Sequence, residues 1–204
     1  MKWVSAVAAV CTLLGGWTNV CSAQIDLPAV DGNGRAIVVA NTSPQVRGIG
    51  ANYFDSLRQS QVWMNLQPEA PRPDPPPFIL NLTVTFPGTL LNHAPESVRV
   101  RAEAFCSAYP THIRQPILGF RTPTMAVDLT GGGSPYQFIA TCSQKGPLDT
   151  VIADVPFDEL RKLIQAMDVS VDALGFSVRL SAADLAAWRG YLHTVEKGVT
   201  VRTR

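Results

Sequence analysis

The chain has 204 residues, of which 46% are hydrophobic and 16% charged, and its formal net charge is +1. That length and apolar content suit one domain with a sizeable core and exclude wholesale disorder. Charge this evenly balanced gives no electrostatic pull toward nucleic acid or anionic lipid.

Residues 1–23 read as a secretory signal peptide. Lys2 is the only charge before Asp26, an apolar run follows from Val4 to Leu14, and Cys21-Ser22-Ala23 supplies a small-residue exit. The run is short of the ~20 apolar residues a membrane span needs. An uncleaved anchor and a lipid-modified Cys21 are the weaker alternatives. Cleavage after Ala23 leaves residues 24–204 as a single β-rich domain with 16 basic and 16 acidic residues, and with Cys106 and Cys142 as its two cysteines. No later segment is apolar enough to span a bilayer, so the expected location is periplasmic or extracellular.

Asp31-Gly32-Asn33-Gly34 is a turn signal, because Asn and Gly tolerate positive φ. It also faintly resembles a calcium loop, but Arg35 stands where an acidic ligand is needed. Ala36 to Ala40 reads as a short strand, and the sequence around it up to about Leu57 is weakly patterned. Gln61 to Leu66 is a clearer strand, with Val62, Met64 and Leu66 on one face and Trp63 on the other. Residues 67–77 hold six prolines, which cannot feed a sheet ladder and tend toward polyproline II. The segment is expected to be an extended loop between two strands.

Phe78 to Phe86 has the cleanest alternation in the chain, with one wholly apolar face and a mostly polar one. Ser97 to Cys106 alternates likewise, turning Arg99, Arg101 and Glu103 away from the apolar side. Short strands are expected at Ile117 to Phe120 and at Thr124 to Leu129. Gly131 to Pro135 then reads as the turn of a hairpin into Tyr136 to Ser143. Cys106 and Cys142 each close an alternating apolar run, so both are expected to face inward and to form a disulfide in an oxidising compartment. A redox pair lacks its C-x-x-C spacing, and a metal site lacks nearby histidines.

Thr150 to Val155 reads as a strand. Phe157, Leu160, Ile164 and Met167 follow at helical spacing behind Asp158 and Glu159, acids that suit a helix start. Val169 to Ala173 and Phe176 to Leu180 alternate with opposite parity, which calls for a bulge or tight turn at Leu174-Gly175. Ser181-Ala182-Ala183-Asp184 is a capping-box variant. It opens a helix whose stripe is Leu185, Trp188, Leu192 and Val195, closed by Gly198. Val199 to Arg204 is expected to be a loose tail. The fold class that results is mainly β (α+β), an antiparallel sheet or β-sandwich with two helices from the C-terminal half packed on it.

No catalytic signature appears. His93, His112 and His193 are not spaced as ligands of one metal, and Gly133-Ser134-Pro135 lacks the amide an oxyanion hole would use. Asp154, Asp158 and Glu159 form the densest acidic cluster, which a helix start explains. The sequons at Asn41 and Asn81 carry weight only in a glycosylating host, and Asn81 lies mid-strand. Trp63 is the candidate ligand-binding residue, since an outward aromatic offers a stacking surface for a sugar or peptide; a second sheet packed over it would remove that role. No catalytic residue, cofactor or metal is assigned. The expected function is an exported, non-enzymatic binding or assembly protein whose partner is an unknown protein or small ligand. Two alternatives remain. One is a secreted hydrolase whose site assembles from loops, with two or more of His93, His112, Asp154 and Glu159 converging. The other is a subunit of an envelope complex that docks through an edge strand or the proline-rich loop.

Overall fold

The computed structural model describes residues 28–40, 47–68, 78–106, 116–131, 135–142 and 148–203. The leader, residues 69–77 of the proline-rich segment, the Asn41 sequon, Tyr109, His112 and Ser134 lie outside that set. In chain order the strands are β1 (Ala29–Val30), β2 (Ala36–Val39), β3 (Ile49–Phe54), β4 (Gln59–Leu66), β5 (Ile79–Pro87), β6 (Leu90–Leu91) and β7 (Ser97–Phe105). Then come β8 (Leu118–Arg121), β9 (Ala126–Asp128), β10 (Tyr136–Ala140), β11 (Leu148–Pro156), α1 (Phe157–Leu163), β12 (Ser170–Ala173), β13 (Phe176–Arg179), α2 (Ala182–Lys197) and β14 (Val199–Arg202). Among the described residues the fold is mainly β, with two helices, both in the C-terminal half.

The strands divide among three sheets. The largest runs β10-β11-β7-β5-β4-β3, antiparallel throughout. Its inner face is the alternating apolar set: Val62, Met64 and Leu66 on β4, Leu80, Leu82 and Val84 on β5, Val98, Val100 and Ala102 on β7, all at most 2% exposed. A second sheet, β13-β12-β8-β9, and a third, β1-β2-β14-β6, add residues to one contiguous core.

Helix α2 joins the layers. Its Tyr191 hydroxyl donates to the Val62 carbonyl at 3.0 Å, and its Trp188 ring lies 5.1 Å from that of Phe120 on β8. The capping box forms: Ser181 Oγ accepts from the Asp184 amide at 3.1 Å while Asp184 Oδ2 accepts from the Ser181 amide at 3.2 Å. Two orphan amides of the first turn are thereby satisfied, which is why the helix begins there.

The first turn forms as its residues require. Asp31 Oδ1 accepts from the amides of Asn33 and Arg35 at 2.8 and 3.0 Å, and Gly34 takes φ +76° between β1 and β2. The parity flip at Leu174-Gly175 is a two-residue hairpin turn between β12 and β13 with both residues at positive φ, 52° and 85°. Leu174 is 1% exposed, so core burial holds a leucine in a conformation that usually goes to Gly or Asn.

Several expectations are corrected. Thr124 to Leu129 and Tyr136 to Ser143 do not form a hairpin: β9 pairs with β8 and β10 pairs with β11, in different sheets. The turn after β9 is instead organised by Asp128 Oδ1, which accepts from the amides of Thr130 and Gly131, each at 2.9 Å. Tyr136 and Ala140 are not inward either. As the edge strand, β10 is exposed on both faces, with Phe138 alone packed against the core. Met167 is 88% exposed because α1 ends at Leu163, where Gln165 and Ala166 make i→i−3 bonds and Arg189 takes up the carbonyls of Ile164 and Ala166 at 2.7 and 2.9 Å. Residues 199–202 are not a tail. Val199 and Val201 are buried in β14, which pairs in parallel with β2 and antiparallel with β6. That makes the third sheet mixed rather than purely antiparallel. The weakly patterned region before Leu57 contains β3.

The disulfide Cys106–Cys142 is present, with its Cα atoms 5.3 Å apart. Its strands are not neighbours, because β11 lies between β7 and β10. The chain after β10 therefore folds over the start of β11: Thr141 Oγ1 donates to the Leu148 carbonyl, and the Cys142 amide donates to Asp149 Oδ1 at 2.8 Å. Both cysteines are half-buried.

Candidate functional site

The outer face of the six-stranded sheet carries a hollow of 460 Å³. Strand alternation builds it. Every residue that sends an apolar side chain inward has neighbours that point out, and in β4, β5 and β7 those neighbours are mostly polar. Trp63 lies among them, half-buried, flanked along β4 by Gln61 and Asn65.

Register aligns the face in rows. One row runs Gly50, Trp63, Thr83, Arg99 and Asp154 across five strands; the next runs Asn65, Asn81, Arg101 and Ile152. Gly50 on the neighbouring strand β3 has no side chain to crowd the indole. The indole Nε1 is buried and has no hydrogen-bond partner among the described residues. Thr83 Oγ1 donates to Asn81 Oδ1 at 2.5 Å, and Asn81 Nδ2 donates to Asn65 Oδ1 at 2.8 Å. This relay ends on the Asn65 carboxamide at the side of Trp63.

The charges on the face are paired within it. Arg99 meets Asp154 in a fork, Nε to Oδ1 at 2.9 Å and a terminal nitrogen to Oδ2 at 3.0 Å. The hydrogen bond to Asp154 raises the Arg99 guanidinium above its ordinary value. Arg101 pairs with Glu103 two residues along the same strand. Both pairs are partly solvated, so each contributes at most about 1 kcal/mol to stability.

Among the described residues the other sequence candidates do not converge; His112 lies outside that set. His93 is exposed, with Nδ1 3.0 Å from the Ala94 carbonyl. Asp154 is engaged by Arg99, and the smaller hollow it lines, 240 Å³, is shared with Tyr136 and Gln137 rather than with His93 or Glu159. Asp158 and Glu159 are exposed on the first turn of α1, where Asp158 pairs with Arg161. His193 is exposed on α2. Asp31 spends one carboxylate oxygen on backbone amides, which hold its carboxyl below the ordinary value, the Arg35 amide first. Cys106, Cys142 and Asp149 lie within 4.8 Å of one another, but both sulfurs are bonded to each other and Asp149 accepts the Cys142 amide. A shallower hollow of 370 Å³ lies on the second sheet, where Arg121 reaches Asp172 at 2.6 Å and Ser177 at 3.0 Å.

No family model, curated protein or solved structure matches this chain. Asn65, Asn81 and Thr83 were not among the ligand-binding candidates of the sequence, although Asn81 and Thr83 belong to a sequon. Their outward parity was visible, but their alignment beside Trp63 depends on strand register, which no single strand encodes. Among the described residues no helix is long and apolar enough to cross a membrane.

Proposed function

We propose that the protein is an exported binding protein that seats its ligand on the outer face of the six-stranded sheet, against Trp63. The observation that carries this reading is the company Trp63 keeps. A sheet face meant only for water carries scattered, mobile charges. Here an aromatic ring lies in a 460 Å³ hollow beside an ordered relay of Thr83, Asn81 and Asn65. That volume falls in the range of small-ligand sites, about 300–1,000 Å³, and a few fixed polar groups around an apolar surface are what such sites use for orientation.

Support for export comes from the apparent leader and from the Cys106–Cys142 bridge, which persists in oxidising compartments. The carboxylates of the face are held by arginines, and the described residues that line it include no histidine, which supports a binding role. Binding is therefore the reading the geometry favours over hydrolysis.

The test uses a mixed library of saccharides, peptides and polar metabolites, screened by calorimetry against the mature protein and its Trp63→Ala variant. At least one class binds the parent and loses at least tenfold in affinity on the variant. If every ligand found binds both proteins equally, this face is not the site.

A further inference from the structure

The proposed binding face has a chemistry specific enough to name its ligand class. We infer that the outer face of the six-stranded sheet takes an uncharged, polyhydroxylated ligand, a short neutral oligosaccharide, stacked on Trp63 and held by the carboxamides of Asn65 and Gln61. This rests on the reading of that face as the binding site.

Three features carry the inference. The first is charge. The hollow is lined by two arginines and one carboxylate, with Asp154 at its border, and all four groups are already paired as Arg99 with Asp154 and Arg101 with Glu103. With two guanidiniums matched by two carboxylates the face carries no net charge, so it does not select for a charged ligand.

The second is backbone availability. Peptides commonly bind sheets by adding a strand at an edge, where main-chain N–H and C=O groups are free. Trp63, Asn65, Asn81 and Arg101 sit on β4, β5 and β7, strands paired on both sides. Their backbone groups are consumed by the ladder. Recognition here falls to side chains alone, which suits a ligand with hydroxyls around a ring rather than a second chain seeking ladder bonds.

The third is the match of donors and acceptors. A hydroxyl both donates and accepts, and so does a carboxamide. Gln61 and Asn65 stand two residues either side of Trp63 on the same face, and Asn65 is oriented from behind by Asn81 and Thr83. A sugar ring is amphipathic in the complementary sense, with an apolar C–H face for the indole and hydroxyls at its rim for the carboxamides. An amphipathic aromatic platform with polar neighbours is the counterpart of that shape.

The test is calorimetry on the mature, disulfide-bonded protein with three probe sets: neutral hexasaccharides (gluco-, xylo- and chito-configured), anionic oligogalacturonates, and uncharged extended peptides. Trp188 is 0% exposed, so emission from the other mature tryptophan, Trp63, reports occupancy in parallel. A neutral hexasaccharide binds, shifts the Trp63 emission, keeps its Kd between 50 and 500 mM salt, and loses at least tenfold in affinity on Trp63→Ala and at least threefold on Asn65→Ala. The second substitution lies on the outer face and spares the core, so its result stands if Trp63→Ala folds poorly. Trp63-dependent binding confined to the galacturonates or the peptides overturns the saccharide inference and leaves the broader reading intact. Failure of all three sets to bind overturns the inference, and neutral saccharide binding unchanged in both variants overturns the site itself.

Discussion

Arg47 and Asp184, 137 residues apart in sequence, meet with the guanidinium Nε 2.9 Å from carboxylate Oδ1. Asp184 is fully buried, and it also accepts from the Ser181 amide and hydroxyl at 3.2 and 2.6 Å. One carboxylate thus starts α2 and fixes that helix to the approach to β3, an edge strand of the six-stranded sheet. Removing one partner of a buried pair costs about 3–5 kcal/mol; with Arg47 partly exposed, Asp184→Ala falls near the lower end, at about 3 kcal/mol. Ser181→Ala, which removes only the cap, costs about 1 kcal/mol. Urea unfolding of both variants checks this, and equal losses would show that the Arg47 contact adds nothing.

Alkaline pH acts through Tyr191. Burial pushes its phenol far above the ordinary value near 10, and its hydroxyl donates to the Val62 carbonyl. A group whose folded pKa is raised contributes stability that is intact below the unfolded pKa and declines above it, because the unfolded chain then releases a proton the folded one retains. The contribution of Tyr191 is therefore constant through neutral pH and falls beyond about pH 10. Tyr191→Phe loses about 1 kcal/mol at pH 7 for the missing hydrogen bond and has a shallower decline at high pH. Denaturation midpoints at pH 7, 9 and 11 for parent and variant measure both effects.

Close backbone approach dictates Gly119. A Cβ there would lie 2.8 Å from the Val127 carbonyl oxygen on the paired strand, which cannot rotate away. Gly119→Ala is expected to cost about 1–3 kcal/mol through displacement of β9 from β8. Thermal unfolding gives the loss, and amide exchange at Phe120 and Asp128 locates it. A variant as stable as the parent would mean the two strands separate at no cost.

The disulfide closes a sequence separation of 36 residues. Loop-closure entropy puts its contribution at about 4 kcal/mol. The double variant Cys106→Ser, Cys142→Ser should lose about that much in urea, and the intact parent should show no alkylatable thiol after removal of residues 1–23. Two reactive thiols in the native protein would remove both the bridge and the argument from compartment.

Much of this architecture was legible because alternation survives in isolated strands. Val62, Met64 and Leu66 announce an inward face, and the same arithmetic puts Trp63 outside it. The capping box at Ser181 and the parity flip at Leu174 were equally local, and both are found. What escaped has physical causes. In β3 the sequence Ile49-Gly50-Ala51-Asn52 carries too little apolar bulk to signal a strand, yet Ala51 is fully buried because its neighbours β2 and β4 enclose it. The glycine run after β9 resembled a hairpin turn, but pairing is decided by the partner strands, and β8 and β11 lie in different sheets. The tail that became β14 is short, and its partner, β2, lies at the opposite end of the chain. The proposed binding face was half legible: outward residues could be named, while the row that sets Asn65 and Asn81 beside Trp63 comes from register across β4 and β5.

The parallel pairing of Ala36 with Val199 has a consequence for the order of assembly. Synthesis delivers β2 well before β14, so β2 lacks this parallel partner until residues 199–202 have emerged. Partial chains must carry Ile37, Val38 and Val39 unpaired on that side, a stretch with high strand propensity and no charge. This sheet therefore closes only once β14 is available, and chains truncated before Val199 should recruit holdase chaperones that a chain carrying β14 sheds.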